Sequence, residues 1–277
     1  MEDYLKIDEE IQLFYRINLA KKPKANIIIT HGFAEHLGRY NYVTKKLNEA
    51  NFNVLRYDVR GHGKSKGKKG YVDNYNNFIN DLDKMVDKIN KEAYGLPLFM
   101  LGHSMGGLIT TLYGLRHPKK VKGQILSGAA NGELKQAEGL RSNFLNFAAS
   151  VLPNLYIKNP VEEKICSVDS VVSRYKNDPL VLKKASVNLF NEFLNKASKE
   201  VLNNLSKYKL PVLILHGEDD DIVDKSISEN FYENISSENK ELIIYKDLYH
   251  ETLNEKNRDE ILEKIIKWVK DQILAVK

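Results

Sequence analysis

Residues 98–107 read LFMLGHSMGG: an apolar run ends at Leu101, and a G-x-S-x-G pattern follows it around Ser104. The next residues, 108–113, continue with a helical pattern, so the motif lies between a predicted strand and a predicted helix. In this context the turn forces the serine into a strained backbone conformation and presents its hydroxyl beside the positive end of the helix. Glycines flank it because a Cβ would clash where strand and helix approach so closely. The stretch predicts a nucleophilic serine at Ser104.

The rest of the chain alternates between strand and helix patterns, and this alternation indicates the fold class. Short apolar runs rich in β-branched residues predict strands at 26–30, 53–58, 98–101, 123–126, 212–215 and 242–245. Helical patterns lie between or after them, at 40–50, 75–91, 105–116, 225–235 and 259–274. Leu13, Tyr15 and Ile17 alternate with polar residues, which predicts an edge hairpin before the first of these strands. We expect an α/β fold with a mostly parallel sheet covered on both faces.

The alternation stops between about residues 129 and 205. No strand pattern is found there, whereas helical patterns remain at 141–152 and 187–197, punctuated by prolines. Neither flank has the composition of a flexible Gly/Ser linker. We therefore predict a single domain over residues 1–277, with a helical cap inserted at about 129–205.

Composition limits the possible partners and location. The net charge of +5 comes with lysine clusters at 64–69 and 119–122, but no arginine-rich or aromatic-interleaved basic stripe, so no nucleic-acid partner is expected. A single cysteine, Cys166, excludes an intramolecular disulfide and a cysteine-based metal cluster. The first residues lack a signal-peptide pattern and no apolar run is long enough to span a bilayer, so a cytoplasmic location is expected. Oligomeric state is left open.

A serine hydroxyl needs a general base, and that base needs an orienting acid. Of the seven histidines, His250 lies after the predicted strand 242–245 and before the last helix, which makes it the natural base. Six others have simpler roles at strand ends, in loops, in the serine turn or at a helix end: His31, His36, His62, His103, His117 and His216.

The acid should follow the predicted strand 212–215, where several carboxylates compete. Asp224 suits the N-terminal cap of the next helix. Spacing alone does not choose among Asp219, Asp220 and Asp221. The order of serine, aspartate and histidine along the chain is that of an α/β-hydrolase triad.

An oxyanion hole completes the chemistry. The loop 31–36 follows a strand end, so its backbone can face the serine. We expect the donors to be the N–H groups of Phe33 and of Met105, the residue after the nucleophile. No cofactor or metal is expected for this reaction.

Three motifs resemble those of monoacylglycerol lipases and bacterial lysophospholipases, a family related to the serine aminopeptidases of type S33. HGFAEH at 31–36 with Arg39-Tyr40, DVRGHGKS at 58–65 and GHSMGG at 102–107 are similar to the family's patterns. In the cap, 151–155 and 173–180 are also similar to monoglyceride lipases. Ala34 departs from the family, which often has glycine there.

The resemblance implies an α/β-hydrolase fold with an eight-stranded sheet and a helical cap. It places the acid on Asp220, by the G-x-x-D pattern counted from Gly217, and the base on His250. It also implies hydrolysis of carboxylic esters of single-chain lipids through an acyl-enzyme on Ser104. The alternatives are a serine aminopeptidase or thioesterase with the same triad, or a non-catalytic ligand-binding protein of this fold.

The cap region 141–155 has a broad apolar face with little charge. Either this face packs on the core, or it lines an acyl tunnel and makes transient contact with a membrane surface. The second interpretation adds a peripheral membrane location to the expected small-molecule acyl ester substrate.

Overall fold

The computed structural model describes residues 1–134, 139–159 and 164–275. Its strands are β1 Glu2–Lys6, β2 Gln12–Asn18, β3 Ala25–Thr30, β4 Phe52–Tyr57, β5 Leu98–His103, β6 Gly123–Ser127, β7 Tyr156–Lys158, β8 Lys184–Ser186, β9 Val212–Gly217 and β10 Lys240–Tyr245. Its α-helices are α1 Asn41–Glu49, α2 Asn76–Glu92, α3 Met105–Arg116, α4 Leu140–Val151, α5 Asp169–Asn177, α6 Val187–Phe190, α7 Ser198–Leu202, α8 Lys225–Asn234 and α9 Arg258–Leu274. Within the described ranges, no helix is long and apolar enough to cross a bilayer.

Eight strands form one sheet in the order β1-β2-β4-β3-β5-β6-β9-β10. The pairs β1–β2 and β2–β4 are antiparallel, and the other pairs are parallel. The predicted edge hairpin and mostly parallel sheet are thus confirmed. Because the parallel strands run in one direction, the loops after β3, β5, β6, β9 and β10 meet at the same edge of the sheet.

Helices cover both faces of the sheet. Successive residues of β5 alternate between the two faces, as the pleat requires. Met100 joins a cluster with apolar residues of α2, α3 and α8, whereas Phe99 and Leu101 join another with residues of α1 and α9. This double cover explains why the central strands read as continuous apolar runs.

The segment between β6 and β9 contains α4 to α7 and a π-helix, Asn191–Ala197. The helix predicted at 141–152 is confirmed as α4, and the one predicted at 187–197 as α6 and the π-helix. The expectation that strands are absent is wrong, since β7 and β8 pair antiparallel. Three residues are too few for a period-two pattern to be recognised. We call the described residues 139–159 and 164–205 the cap; its assignment as an insertion in one domain remains a prediction.

A small apolar cluster lies within the cap and includes Cys166, Val171 and Tyr175. Cys166 is buried there, and burial raises the pKa of its thiol to about 12. The side chain therefore packs as a small hydrophobe.

Candidate active site

Ser104 occupies the sharp turn between β5 and α3, as the sequence predicts. Its φ of +52° and ψ of −120° are rare for a residue with a side chain. Its N–H donates to the Ser127 carbonyl oxygen at 3.0 Å, and its own carbonyl accepts from Ala130 N–H at 3.2 Å. A Cβ on Gly106 would come within 2.2 Å of the Thr30 oxygen. Two hydrogen bonds to β6 and to the residues after it thus hold the strained turn, and the close packing at position 106 requires glycine there.

The loop after β3 packs directly against Ser104. A Cβ on Gly32 would lie 3.1 Å from Ser104 Cβ, so the loop backbone makes a close approach here. Phe33 and Ser104 line the same cavities. Met105 begins α3, immediately after the serine. Both expected oxyanion donors therefore belong to segments that border the serine.

The loops after β9 and β10 bring Asp220 and His250 together. Asp220 Oδ2 accepts a hydrogen bond from His250 Nδ1 at 2.6 Å. Asp220 Oδ1 accepts from the N–H groups of Ile222 and Val223, each at 2.9 Å. These bonds fix the carboxylate, and the carboxylate in turn fixes the tautomer and orientation of the imidazole.

The structure separates the three competing aspartates by burial. Asp219 and Asp221 are exposed, and Asp221 pairs with Lys164 at 2.5 Å. Asp220 is buried and is the one that contacts His250. Asp224 caps α8 by accepting from Ser226 N–H, as predicted. The geometry therefore favours the register that the resemblance implies.

His250 and Ser104 line one small cavity together with Gly32, Phe33 and His103. The His103 ring lies 4.7 Å from the His250 ring, and its Nδ1 bonds the Ser127 carbonyl oxygen at 2.9 Å. The three residues expected to form the triad, although distant in sequence, thus lie at one edge of the sheet.

Two neighbours of this site escaped sequence reasoning. His216, in β9, approaches Asp220 Oδ2 with its Nε2 at 3.2 Å, and its Nδ1 accepts a hydrogen bond from the Ser228 hydroxyl. Gly128, with φ +52°, leaves room for His250, because a Cβ there would lie 3.1 Å from His250 Nδ1. Gly128 directly follows β6, and a glycine directly after a strand is a sequence signal that could have identified this residue.

Electrostatics keep Asp220 ionised and make His250 a stronger base. Burial alone would raise the pKa of Asp220, but the charge and hydrogen bonds of His250 and His216 bring that pKa well below its usual range. Burial alone would lower the pKa of His250, but Asp220, followed by Glu251 and Glu35, raises it above the ordinary value. Burial lowers the pKa of His103, which keeps that neighbour neutral. The carboxylate is therefore ionised and the imidazole is a strengthened base.

A larger cavity of about 620 Å³ opens from Ser104 beneath the cap. Phe33 packs against Phe190 and Phe193 of the cap, with ring centroids 5.1 and 5.7 Å away. The walls are mostly apolar: Phe33, Ala130, Leu134, Phe144, Leu145, Ile157, Phe190, Phe193, Leu194, Ile222 and Val223, with Arg141 and Lys158 as charged members. Such a cavity suits an apolar ligand rather than a polar one.

Comparison with known proteins gives the family. The model of the family named "Serine aminopeptidase, S33" matches residues 21–257. The chain belongs to this family of hydrolases.

Particular relatives are more specific. Mouse monoglyceride lipase is 32% identical over 259 residues, covering 91% of this chain and 84% of the mouse protein. Phospholipase YtpA of Bacillus subtilis is 29% identical over 250 residues, covering 88% of this chain and 94% of its own length. The crystal structure of Paleococcus ferrophilus monoacylglycerol lipase has a TM-score of 0.85 at 26% identity, covering 94% of this chain and 99% of that one. The predicted resemblance and α/β-hydrolase fold are confirmed.

Proposed function

We propose that the protein hydrolyses carboxylic esters of single-chain lipids, monoacylglycerols first among them, through an acyl-enzyme on Ser104. It is a carboxylic ester hydrolase, as its similarity to monoglyceride and monoacylglycerol lipases shows. The observation that carries the proposal is the position of Ser104, which opens into the apolar cavity and shares a second cavity with the Asp220-bound His250. The cavity would hold the acyl chain with its carbonyl carbon beside the serine.

The two halves of the reaction use the same groups. Because His250 Nδ1 is bonded to Asp220, its Nε2 is left to accept the Ser104 proton as Oγ attacks the carbonyl carbon. The oxyanion would accept from the N–H groups of Phe33 and Met105. His250 then protonates the departing alcohol oxygen, and the acyl-enzyme remains. Water, deprotonated by His250, attacks this ester, and the fatty acid leaves as Ser104 regains its proton.

The surface of the cap supports contact with a lipid surface as the route of substrate entry. Phe144, which lines the cavity, is 73% exposed, and Phe147 and Val151 on the same helix are 67% and 59% exposed. Leu152 and Leu155 extend this exposed apolar group beyond α4. Apolar side chains around a cavity entrance suit shallow insertion among lipid headgroups, which would bring a monoacylglycerol to Ser104 without leaving the bilayer for water.

The test combines a covalent probe with a substrate series. A fluorophosphonate should label the wild type, and Ser104→Ala should remove both labelling and hydrolysis. Ser236→Ala, at an exposed serine after α8, is the matched control and should keep both. A series of monoacylglycerols of increasing chain length is compared with lysophosphatidylcholine and with aminoacyl-anilides. The monoacylglycerols should be cleaved faster than either of the other two substrates. Labelling that persists in Ser104→Ala would contradict the nucleophile, and faster anilide cleavage would favour the peptidase alternative.

A further inference from the structure

A cluster of buried charges lies beside the site and has no part in the mechanism above. The cluster consists of Glu35, Arg39 and Glu251. Glu35 and Glu251 are 3% and 5% exposed, and the side chain of Arg39 is 10% exposed. Arg39 Nη1 donates to Glu35 Oε2 at 2.8 Å and to Glu251 Oε1 at 2.5 Å, while its Nη2 donates to Glu251 Oε2 at 2.7 Å. One guanidinium thus binds two carboxylates that lie 216 positions apart in number.

Glu35 connects this cluster to the loop that carries an expected oxyanion donor. Its Oε1 accepts from Gly32 N–H at 2.6 Å and from the Tyr40 hydroxyl at 2.8 Å. Gly32 directly precedes Phe33, whose N–H is the proposed donor. The Glu35 carboxylate therefore restrains the peptide next to that N–H, and Arg39 restrains the carboxylate.

Glu251 connects the cluster to the proposed general base. It is the residue after His250, and its backbone N–H donates to the Ile165 carbonyl oxygen at 2.8 Å. Asn254 Nδ2 donates to Glu251 Oε2 at 2.9 Å. The two bonds from Arg39 therefore fix the chain immediately beyond the imidazole.

The same guanidinium also contacts the cap. It lies over the ring of Tyr175, on α5, with its central carbon 4.8 Å from the ring centroid. Tyr175 lines the small cavity that holds Ser104 and His250. Arg39 thus touches elements from three places: the loop after β3, the loop after β10 and the cap.

Stability alone explains this arrangement poorly. Withdrawing charges from water has a free-energy cost, and apolar side chains often replace buried ion pairs without loss of stability. The cluster also holds two carboxylates against one guanidinium, so the excess charge is negative. An excess negative charge near His250 favours the imidazolium that forms during catalysis.

We infer that Arg39 is a positioning residue for the hydrolytic reaction: by binding Glu35 and Glu251 together, it holds the Phe33 loop and the His250 loop in a fixed relation. The inference depends on the proposed function, since it assigns Arg39 to that reaction. Of Glu35, Arg39 and Glu251, Arg39 is the residue that bonds to both of the others, so it is the connection between the two loops within this cluster.

The titratable and charged groups that face His250 determine the expected pH dependence. They are Asp220 from the loop after β9, His103 from β5, Glu35 from the loop after β3, and the adjacent Glu251. His216 acts on the same group through Asp220. Glu251→Gln removes one negative charge while keeping the shape, so the acid limb of kcat/KM should move to lower pH, by about 0.5 unit. The other groups are unchanged in this variant.

The experiment compares Arg39→Lys and Glu251→Gln with the wild type on a short water-soluble ester. Lysine keeps the charge but cannot reproduce the two-pronged bond, so kcat should fall about tenfold with little change in KM. Arg60→Lys is the matched control, because Arg60 makes a similar two-pronged bond to Asp81, at 2.8 and 2.7 Å, in another part of the structure. Its kcat should stay within about twofold of the wild type.

Thermal unfolding identifies variants that fail to fold, and Glu251→Gln carries the test by itself if Arg39→Lys does not fold. A wild-type kcat in folded Arg39→Lys would overturn the inference, and so would a wild-type kcat in folded Glu251→Gln, whose amide has one acceptor oxygen and cannot accept both bonds from Arg39. Ser104→Ala is assayed in parallel. If Ser104→Ala hydrolyses the ester at the wild-type rate, the proposed function fails; if it is inactive while the cluster variants behave as wild type, only the inference fails.

Discussion

Helices α3 and α4 have the same length, 12 residues; α3 begins directly after Ser104, and α4 lines the cavity that opens from that serine. In α3, residues 105–114 are all buried. In α4, Phe144 and Phe147 are 73% and 67% exposed. Burial explains why α3 is apolar, because it packs against the sheet, α2 and α7. Burial within this chain does not explain why α4 is apolar, so its side chains are available to a ligand or a surface.

The contrast extends from these helices to their surroundings. Next to α3, directed hydrogen bonds hold the site, and the Asp220 carboxylate alone accepts three of them. The cavity that α4 lines is walled mainly by apolar side chains, among them Phe33, Phe190 and Phe193, whose rings are in contact. Catalysis depends on the direction of these hydrogen bonds, so a substitution near α3 should cause a large loss of activity. Binding of an apolar group depends on the area that is buried, so a substitution near α4 should weaken that binding by a smaller amount.

Asp220→Asn should produce the largest effect among variants that keep the nucleophile. An asparagine amide would present a donor to His250 Nδ1 and stabilise the wrong tautomer, so kcat should fall by about 10⁴-fold. Asp221→Asn, in the same loop but exposed, should stay within about twofold. Steady-state hydrolysis of a monoacylglycerol measures both. Equal losses of kcat in the two variants would mean that burial does not identify the catalytic acid among these aspartates.

The pH dependence should be the next largest effect. His250 must be neutral to accept the serine proton, and its pKa is raised above the ordinary value of 6.5, because Asp220 and the nearby glutamates outweigh the effect of burial. Activity should therefore be lost as pH falls, with the half-maximum of kcat/KM above pH 6.5 and a loss of at least about tenfold at pH 5.5. The profile is measured with an ester of a non-ionising alcohol. A limb below pH 6 would contradict the assigned environment of His250.

A charge on α4 should produce a smaller effect that depends on lipid. Phe147→Asp places an anion in the exposed apolar group, so partition onto anionic vesicles should fall about tenfold while hydrolysis of a short water-soluble ester is unchanged. Tyr94→Asp is the matched control, because Tyr94 is a 92% exposed aromatic just after α2. Co-sedimentation with vesicles measures partition. Equal partition of the two variants would remove α4 as the docking surface.

The sequence predicts the two regions unequally, and the reason is the range of the interactions. The strained turn at Ser104 is a local feature, so its glycines and flanking patterns suffice to predict it. The choice of Asp220 over Asp219 and Asp221 depends on burial, which no local pattern reports; the family resemblance supplied it. Arg39 and Glu251 are 212 positions apart, and no feature of either stretch indicates that they meet.

The cap shows the same limit from the other side. Periodicity predicts its helices at 141–152 and 187–197, but β7 and β8 are stabilised by pairing with each other and leave no signal in three residues each. The exposure of Phe147 could not be predicted either, since an apolar helical face is ordinarily buried against a core. Sequence patterns report the preference of a segment, whereas its partner is decided by the rest of the chain.

Ala34→Gly should have the smallest effect, and it tests how closely the region around α3 is specified. Ala34 is fully buried with φ +66°, a left-handed conformation that costs a residue with a Cβ about 1 kcal/mol. Glycine relieves this strain, but it loses a buried methyl group worth about 0.8 kcal/mol and increases the entropy of the unfolded chain. These effects oppose one another, so the free energy of unfolding should change by less than about 1 kcal/mol.

The rate of Ala34→Gly should also change by less than about twofold, because the proposed donor is the N–H of Phe33 and Glu35 still binds Gly32 on its other side. Denaturant unfolding and ester hydrolysis measure the two quantities. A gain in kcat of tenfold or more would mean that the alanine methyl narrows the oxyanion turn in the wild type. The geometry of the residues around α3 would then not be optimal for the reaction, despite their hydrogen bonds. The two helices would in that case differ in burial but not in how precisely their surroundings are positioned.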